Sequence, residues 1–243
     1  MTKEIDFNVT CWYQSGCHLY KPACHKTCHR YLEMNYLITN CGLSNASKYI
    51  KPIFATQEDA GAFERLAKIK ENVLDFVNGG RNLYITSSQL RNGKTTWALK
   101  IMYKYFDLIW AGNGFRVRGY FLHVPDFLTK LKTYSYKETP EYKAICYVLD
   151  TADLVIWDDI SSMNLTAAEQ NILNTFLSKR NQNDKANVFT GYSLGDKLQM
   201  QVGELLAQRI LSDYVVEFIS PGRTPEMNNA ITNAILRGQG KSE

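Results

Sequence analysis

Nowhere in this 243-residue chain does an apolar run approach the ~20 residues that a membrane-crossing helix needs, and the opening segment M-T-K-E-I-D-F-N lacks the hydrophobic centre of a secretory signal. Strong charge is missing as well: a net +4 is too mild to mark a nucleic-acid binder by itself. The composition is not that of a disordered chain either, with 45% apolar and 21% charged residues. Cysteine and histidine almost vanish beyond residue 41, where only Cys146 and His123 remain. These absences point away from a membrane-spanning or disulfide-built protein. What is left is an ordinary globular chain, long enough for one well-buried core and a small accessory unit, and expected in the cytoplasm.

The cysteines and histidines that do occur are crowded. Five of six cysteines and three of four histidines fall between Cys11 and Cys41, spaced Cys11-x5-Cys17-x6-Cys24-x3-Cys28, with His18, His25 and His29 each directly after a cysteine. In a reducing compartment such clustering reads as a tetrahedral Zn²⁺ site. A structural ion, worth on the order of 10–16 kcal/mol, would let so short a segment fold. Cys11, Cys17, Cys24 and Cys28 form two closely spaced pairs and are the expected ligands. A set using Cys41, beyond a helix expected from Tyr31 to Asn40, or one of the histidines is the alternative, as is a metal-free segment. Trp12, Tyr13, Tyr20, Tyr31 and Tyr36 would pack around the ion or stack on bases. Residues 1–57 are also the basic part, with six basic and three acidic side chains against 22 and 21 in the rest. Lys51-Pro52 reads as a connector, so the chain divides into residues 1–57 and 58–243.

The second part is organised around Asn82 to Leu99. Asn82–Thr86 alternates β-branched and aromatic residues and reads as a short buried strand. Helix-forming residues follow from Thr95. Between them, Ser88-Gln-Leu-Arg-Asn-Gly-Lys-Thr95 is the G-x-x-x-x-G-K-[ST] phosphate-binding loop with serine in the first glycine place. Backbone N–H groups converging at a helix start suit a phosphate chain. Ser88, Asn92, Gly93, Lys94, Thr95 and Thr96 are therefore the expected ATP contacts. Lys94 would carry charge to the β- and γ-phosphates, and the Thr95 hydroxyl would ligate Mg²⁺. Serine at position 88 would be strained if that site needs positive φ. Downstream, Ala152-Asp-Leu-Val-Ile-Trp-Asp-Asp159 is an apolar strand ending in two carboxylates, the acidic partner of such a loop: Asp158 for the Mg²⁺ shell, Asp159 to orient the attacking water. Aspartate is one methylene shorter than the glutamate often found there, so hydrolysis is expected to be slow.

The remaining pattern alternates strands and helices. A helix spans Glu58 to Val77 and stops at Asn78-Gly79-Gly80. A strand runs from Phe115 to His123, with Arg116 and Arg118 on one face, and Pro125 opens another helix. Lys130 to Tyr147 interleaves lysine and tyrosine, which suits single-stranded nucleic acid or a solvated helix face equally. Thr166 and Glu169 make a capping box for a helix to Arg180. Asn187–Thr190 is a strand, Leu194–Leu211 a helix broken near Gly203, and Tyr214–Ile219 a strand before a turn and a final helix to Leu236. This alternation calls for a parallel sheet covered on both faces.

The cysteine-rich front, the loop ending Gly93-Lys-Thr-Thr96, Trp157-Asp-Asp-Ile160, Phe189-Thr-Gly-Tyr-Ser-Leu194 and Glu204-Leu-Leu-Ala-Gln-Arg-Ile210 together resemble the AAA+ helicase loaders of the DnaC/DnaI type, especially bacteriophage-carried versions. The resemblance covers most of the chain. It implies an α/β AAA+ P-loop NTPase core with a five-stranded parallel sheet, self-assembly through the ATP sites, and Arg209 as an arginine finger toward a neighbouring subunit. It also implies sensor roles for Thr190 and Arg223, although the chain reads Thr190-Gly191-Tyr192 where the family commonly has asparagine after T-S. Function follows as an expectation: the zinc unit docks on a replicative hexameric DNA helicase, and the ATPase places that helicase on single-stranded DNA in a bacterial host cytoplasm. A transposition helper ATPase of the IstB type and a non-hydrolysing ATP-binding adaptor or helicase inhibitor are the other readings.

Overall fold

The computed structural model describes residues 11, 17–21, 26–43, 56–109 and 114–220. Cys24, the Lys51-Pro52 connector and the region around Arg223 lie outside these residues. Five parallel strands form one sheet in the order β2-β3-β4-β1-β5. They are β1 (Asn82–Thr86), β2 (Gly119–His123), β3 (Leu154–Asp158), β4 (Ala186–Gly191) and β5 (Tyr214–Glu217). The sheet is central, and β1, β3 and β4 are buried along their whole length. Such strands read as unbroken apolar runs because both faces are covered.

Side-chain alternation divides the core into two layers. Leu83, Ile85, Phe121, Ile156, Val188 and Val216 face one way, against α1 (His29–Thr39), α2 (Ala60–Glu71), α3 (Val73–Asn78) and α4 (Lys94–Ile109). Tyr84, Leu122, Val155, Trp157 and Phe189 face the other, against α5 (Val124–Leu131), α6 (Pro140–Thr151), α7 (Ala167–Gln182), α8 (Gly195–Val202) and α9 (Glu204–Ile210). The expected capping box is present: the Thr166 hydroxyl accepts from Glu169 N, and the Glu169 carboxylate accepts from Thr166 N at 2.8 Å.

Several elements differ from expectation. The helix read from Glu58 to Val77 is two helices, interrupted at Asn72, whose side-chain amide and backbone N–H both donate to Lys68 O and close the first helix. The second strand starts at Gly119 rather than Phe115, because Arg118 lies at the base of the sheet: its carbonyl accepts from Asp153 N and Leu154 N, and its guanidinium pairs with Asp153. The lysine-tyrosine segment turns two of its rings, Tyr136 and Tyr142, inward. Tyr136 is buried and Tyr142 stacks on Phe127 at 6.4 Å, while Lys130 pairs with Glu141 and Lys132 with Glu169. Lys137, Lys143 and Tyr147 stay exposed.

Residues 29–43 bury an apolar face on the sheet layer that holds α4. Met34, Leu37, Cys41 and Leu43 join that layer, Arg30 pairs with Asp107 at 3.0 Å, and Phe121 N on the sheet edge donates to Cys41 O at 2.7 Å. Gly42, at φ +86°, is required here, since a Cβ would meet Phe121 O at 2.3 Å. On the opposite layer the fully buried Arg180 ties helix to sheet, donating to Asn187 Oδ1, Leu149 O, Ala152 O and Ala186 O. Burial lowers its guanidinium to about 9.

Candidate functional site

The carboxyl ends of parallel strands leave backbone and side chains converging beside the helix starts that follow, and the crevice there is where α/β sheets place ligands. β1 leads into the loop 87–93, and α4 begins at Lys94. Positive φ falls on Arg91 (61°) and Gly93 (94°), and Ser88 is not among the strained residues. The serine in the first glycine place is thus accommodated, and the left-handed turns lie later in the loop. Ser87 Oγ accepts from Gln89 N and from the Asn92 amide, which stiffens the loop from within.

Lys94 is buried and folded back onto this loop. Its Nζ donates to Gln89 O at 2.9 Å and Asn92 Oδ1 at 3.3 Å, and lies 4.2 Å from the centroid of the Tyr192 ring. Burial lowers its ammonium to about 8 despite the attraction of Asp159 and Asp158. A buried cation held by two neutral oxygens and a ring face is chemically suited to an anionic phosphate.

Strand β3 lies between β2 and β4, and this order assembles the rest. Asp158, 4% exposed, accepts from Thr95 Oγ1 at 2.8 Å and Thr190 Oγ1 at 2.7 Å, both on Oδ1. Burial, reinforced by Asp159, raises its carboxyl to about 6. Thr95 and Asp158 together make the oxygen donor set a Mg²⁺ ion would use. Asp159 has φ 58°, a left-handed conformation that costs a non-glycine residue about 1 kcal/mol or more. It is held there by Asp159 N donating to Thr190 Oγ1 at 2.9 Å and by Ile160 N donating to Thr190 O. The Thr190 hydroxyl is thereby engaged on both sides, and the residue supports the acidic pair.

Two neighbours of that pair were given no place in the site from sequence, where Tyr192 stood out only as a departure from the family pattern. His123 is the β2 partner of Asp158 in register, with Nε2 3.6 Å from Asp159 Oδ2 and Nδ1 3.0 Å from Asp126 Oδ2. The Asp159 carboxylate beside it raises its imidazole to about 9. Tyr192 follows β4, and its backbone N donates to Ser161 Oγ at 2.7 Å. Burial, with Asp159 close by, holds its phenol well above the usual value. The sequence offered one signal for His123, the end of a strand, and for Tyr192 its place beside the sensor threonine.

Other expected site residues are not gathered here. Arg209 is half-buried on α9, and its Nη1 donates to Asn174 O at 2.9 Å and to Ser178 Oγ, both on α7. Cys11, Cys17 and Cys28 are half-buried free thiols, and the fourth expected zinc ligand, Cys24, lies outside the described residues, as does Arg223. Cys41, the alternative ligand, is in the core with its thiol donating to Ile38 O at 3.0 Å.

No protein-family model matches the sequence, and no curated protein does. Solved structures do match. A DnaC helicase loader is 19% identical, with a TM-score of 0.53, over 72% of this chain and 96% of that one. DnaI is 13% identical, with a TM-score of 0.56, over 72% and 95%. AMPPCP-bound DnaA from Aquifex aeolicus is 15% identical, with a TM-score of 0.55, over 78% of this chain and 56% of that one. Identities this low carry the fold alone. The chain, with its five-stranded parallel sheet flanked by helices, has the AAA+ P-loop NTPase fold of DnaC and DnaA.

Proposed function

We infer that this protein is an ATP-dependent loader that binds a replicative hexameric DNA helicase and places it on single-stranded DNA. The observation that carries the reading is the convergence of Lys94, Thr95, Asp158 and Asp159 at the ends of β1 and β3, in a fold shared with a DnaC helicase loader and DnaI. ATP is held by Ser88, Asn92, Gly93, Lys94, Thr95 and Thr96, with Thr95 and Asp158 sharing a Mg²⁺ ion. Asp159 orients the attacking water, and Thr190 and Arg223 respond to the γ-phosphate.

Arg209 acts across a subunit boundary, after release from Asn174 and Ser178, which couples turnover to self-assembly. Cys11, Cys17, Cys24 and Cys28 hold Zn²⁺ in a helicase-docking unit, residues 1–57, ahead of the ATPase, residues 58–243. The setting is the cytoplasm of a bacterial host, with the gene carried by a phage. The test is a loading assay on coated single strands with the full chain. Helicase unwinding should depend on the protein and on ATP and be lost in Lys94→Ala. A full chain that neither captures a hexameric helicase at micromolar concentration nor stimulates unwinding refutes the proposal. For Arg209→Ala, nucleotide binding should persist while assembly-stimulated turnover falls by roughly 10³ or more.

One observation favours a second reading, a non-hydrolysing ATP-binding adaptor. The short carboxylate of Asp159 is engaged by His123 and faces Tyr192, which leaves it poorly disposed to activate water. Equal background turnover in the wild type and Asp159→Asn, with and without single-stranded DNA, would select the adaptor.

A further inference from the structure

Among the described residues, one group of three metal-ligating side chains lies close together: one ligand atom each from His123, Asp158 and Asp159, all within 4.8 Å of one another. We propose that these three residues bind a divalent cation of the first transition row, of the Mn²⁺ type, without any nucleotide. The site joins the ends of two neighbouring strands, so backbone pairing between His123 and Asp158 fixes its width before any ion arrives.

Three features argue for a cation. Both threonine hydroxyls that reach Asp158 donate to Oδ1, which leaves Oδ2 of a carboxylate only 4% exposed without a hydrogen bond. Asp126 lies 3.0 Å from the far imidazole nitrogen of His123, leaving Nε2 turned to Asp159. A carboxylate charge beside a histidine ring raises ligand basicity in metal sites. Finally, an imidazole nitrogen beside two carboxylates suits Mn²⁺, Co²⁺ or Zn²⁺ better than Mg²⁺, which favours oxygen ligands alone. The ion would occupy Asp159 as a ligand and so keep that carboxylate from other work.

The test titrates Mn²⁺ into the purified nucleotide-free chain and follows loss of the free-ion EPR signal. One Mn²⁺ per chain should bind, and pulsed EPR should show ¹⁴N coupling from a directly bound imidazole. His123→Gln should remove that coupling and weaken binding at least about tenfold, and Asp126→Asn, an exposed change outside the ligand set, should weaken it about tenfold. A several-fold excess of Mg²⁺ should displace little of the ion. Lys94→Ala, which removes a competing positive charge, should retain or tighten Mn²⁺ binding even as it weakens nucleotide binding, so failure of the ATP reading and failure of this one are distinguishable. No binding below millimolar Mn²⁺ leaves the trio an ion pair and overturns the proposal. Binding without ¹⁴N coupling, or unchanged in His123→Gln, does the same.

Discussion

Asp158→Asn should make the metal-free protein more stable while disabling its site. Asp158 is buried, and its carboxyl is raised from 3.8 to about 6 by desolvation and the adjacent Asp159. Because the folded value lies above the unfolded one, the protonated form favours folding. That contribution is complete below about pH 4 and is lost as pH rises through about 6. A shift of roughly two units corresponds to an ionisation burden of about 3 kcal/mol at neutral pH, taken as a ceiling.

Asparagine keeps the same shape and the same acceptor for the Thr95 and Thr190 hydroxyls, but carries no charge. Urea and thermal melts in EDTA, across about pH 4.5 to 8, should show the variant gaining on the wild type as pH rises. At about pH 7.5 the gap should be about 1–3 kcal/mol, or roughly 3–10 °C in Tm for a domain of this size. Added Mg²⁺ and ATP should then stabilise the wild type alone. A variant equal to or weaker than the wild type at neutral pH in EDTA, or a gap that does not change with pH, would refute the electrostatic reasoning.

Lys94→Ala should weaken binding of a fluorescent ATP analogue by about ten- to a hundredfold, the loss expected for a charge-assisted contact. Since burial lowers the lysine to about 8, wild-type affinity should also decline from about pH 7 to about pH 9 as the ammonium loses its proton. Arg180→Ala takes the guanidinium donor from the carbonyls of Leu149, Ala152 and Ala186 in the core and leaves Asn187 Oδ1 with Trp157 Nε1 alone, and chemical denaturation should register a loss of roughly 3–5 kcal/mol. Gly42→Ala, strained by its φ and by Phe121 O, should faster-exchange the Phe121 amide in hydrogen-exchange measurements as the bond to Cys41 O opens. Exchange in β1, β3 and β4 should stay as in the wild type.

Much of the architecture was legible along the chain because it rests on local chemistry. β1 has the bounds read from its own residues, Asn82–Thr86. The Thr166/Glu169 box and the break at Gly203 were visible because caps and helix breaks are set by a few adjacent residues. The alternation of strands and helices dictated parallel pairing, since parallel strands need crossovers. The interruption at Asn72 escaped because a side chain back-bonding to Lys68 O competes with a helical pattern that looks continuous.

The loop and the acidic strand end announced themselves by residue type and spacing, so sequence alone brought forward Lys94, Thr95, Asp158 and Asp159 as candidates for a phosphate and cation site. Its working arrangement was decided elsewhere. Only the order β2-β3-β4 sets His123 against the acidic pair and turns the Thr190 hydroxyl onto Asp158 rather than outward, and only the chain's return after β4 lays Tyr192 under Lys94. Such relations join residues more than 30 positions apart, through backbone register that no local pattern encodes, and burial then fixes the charge states those residues hold.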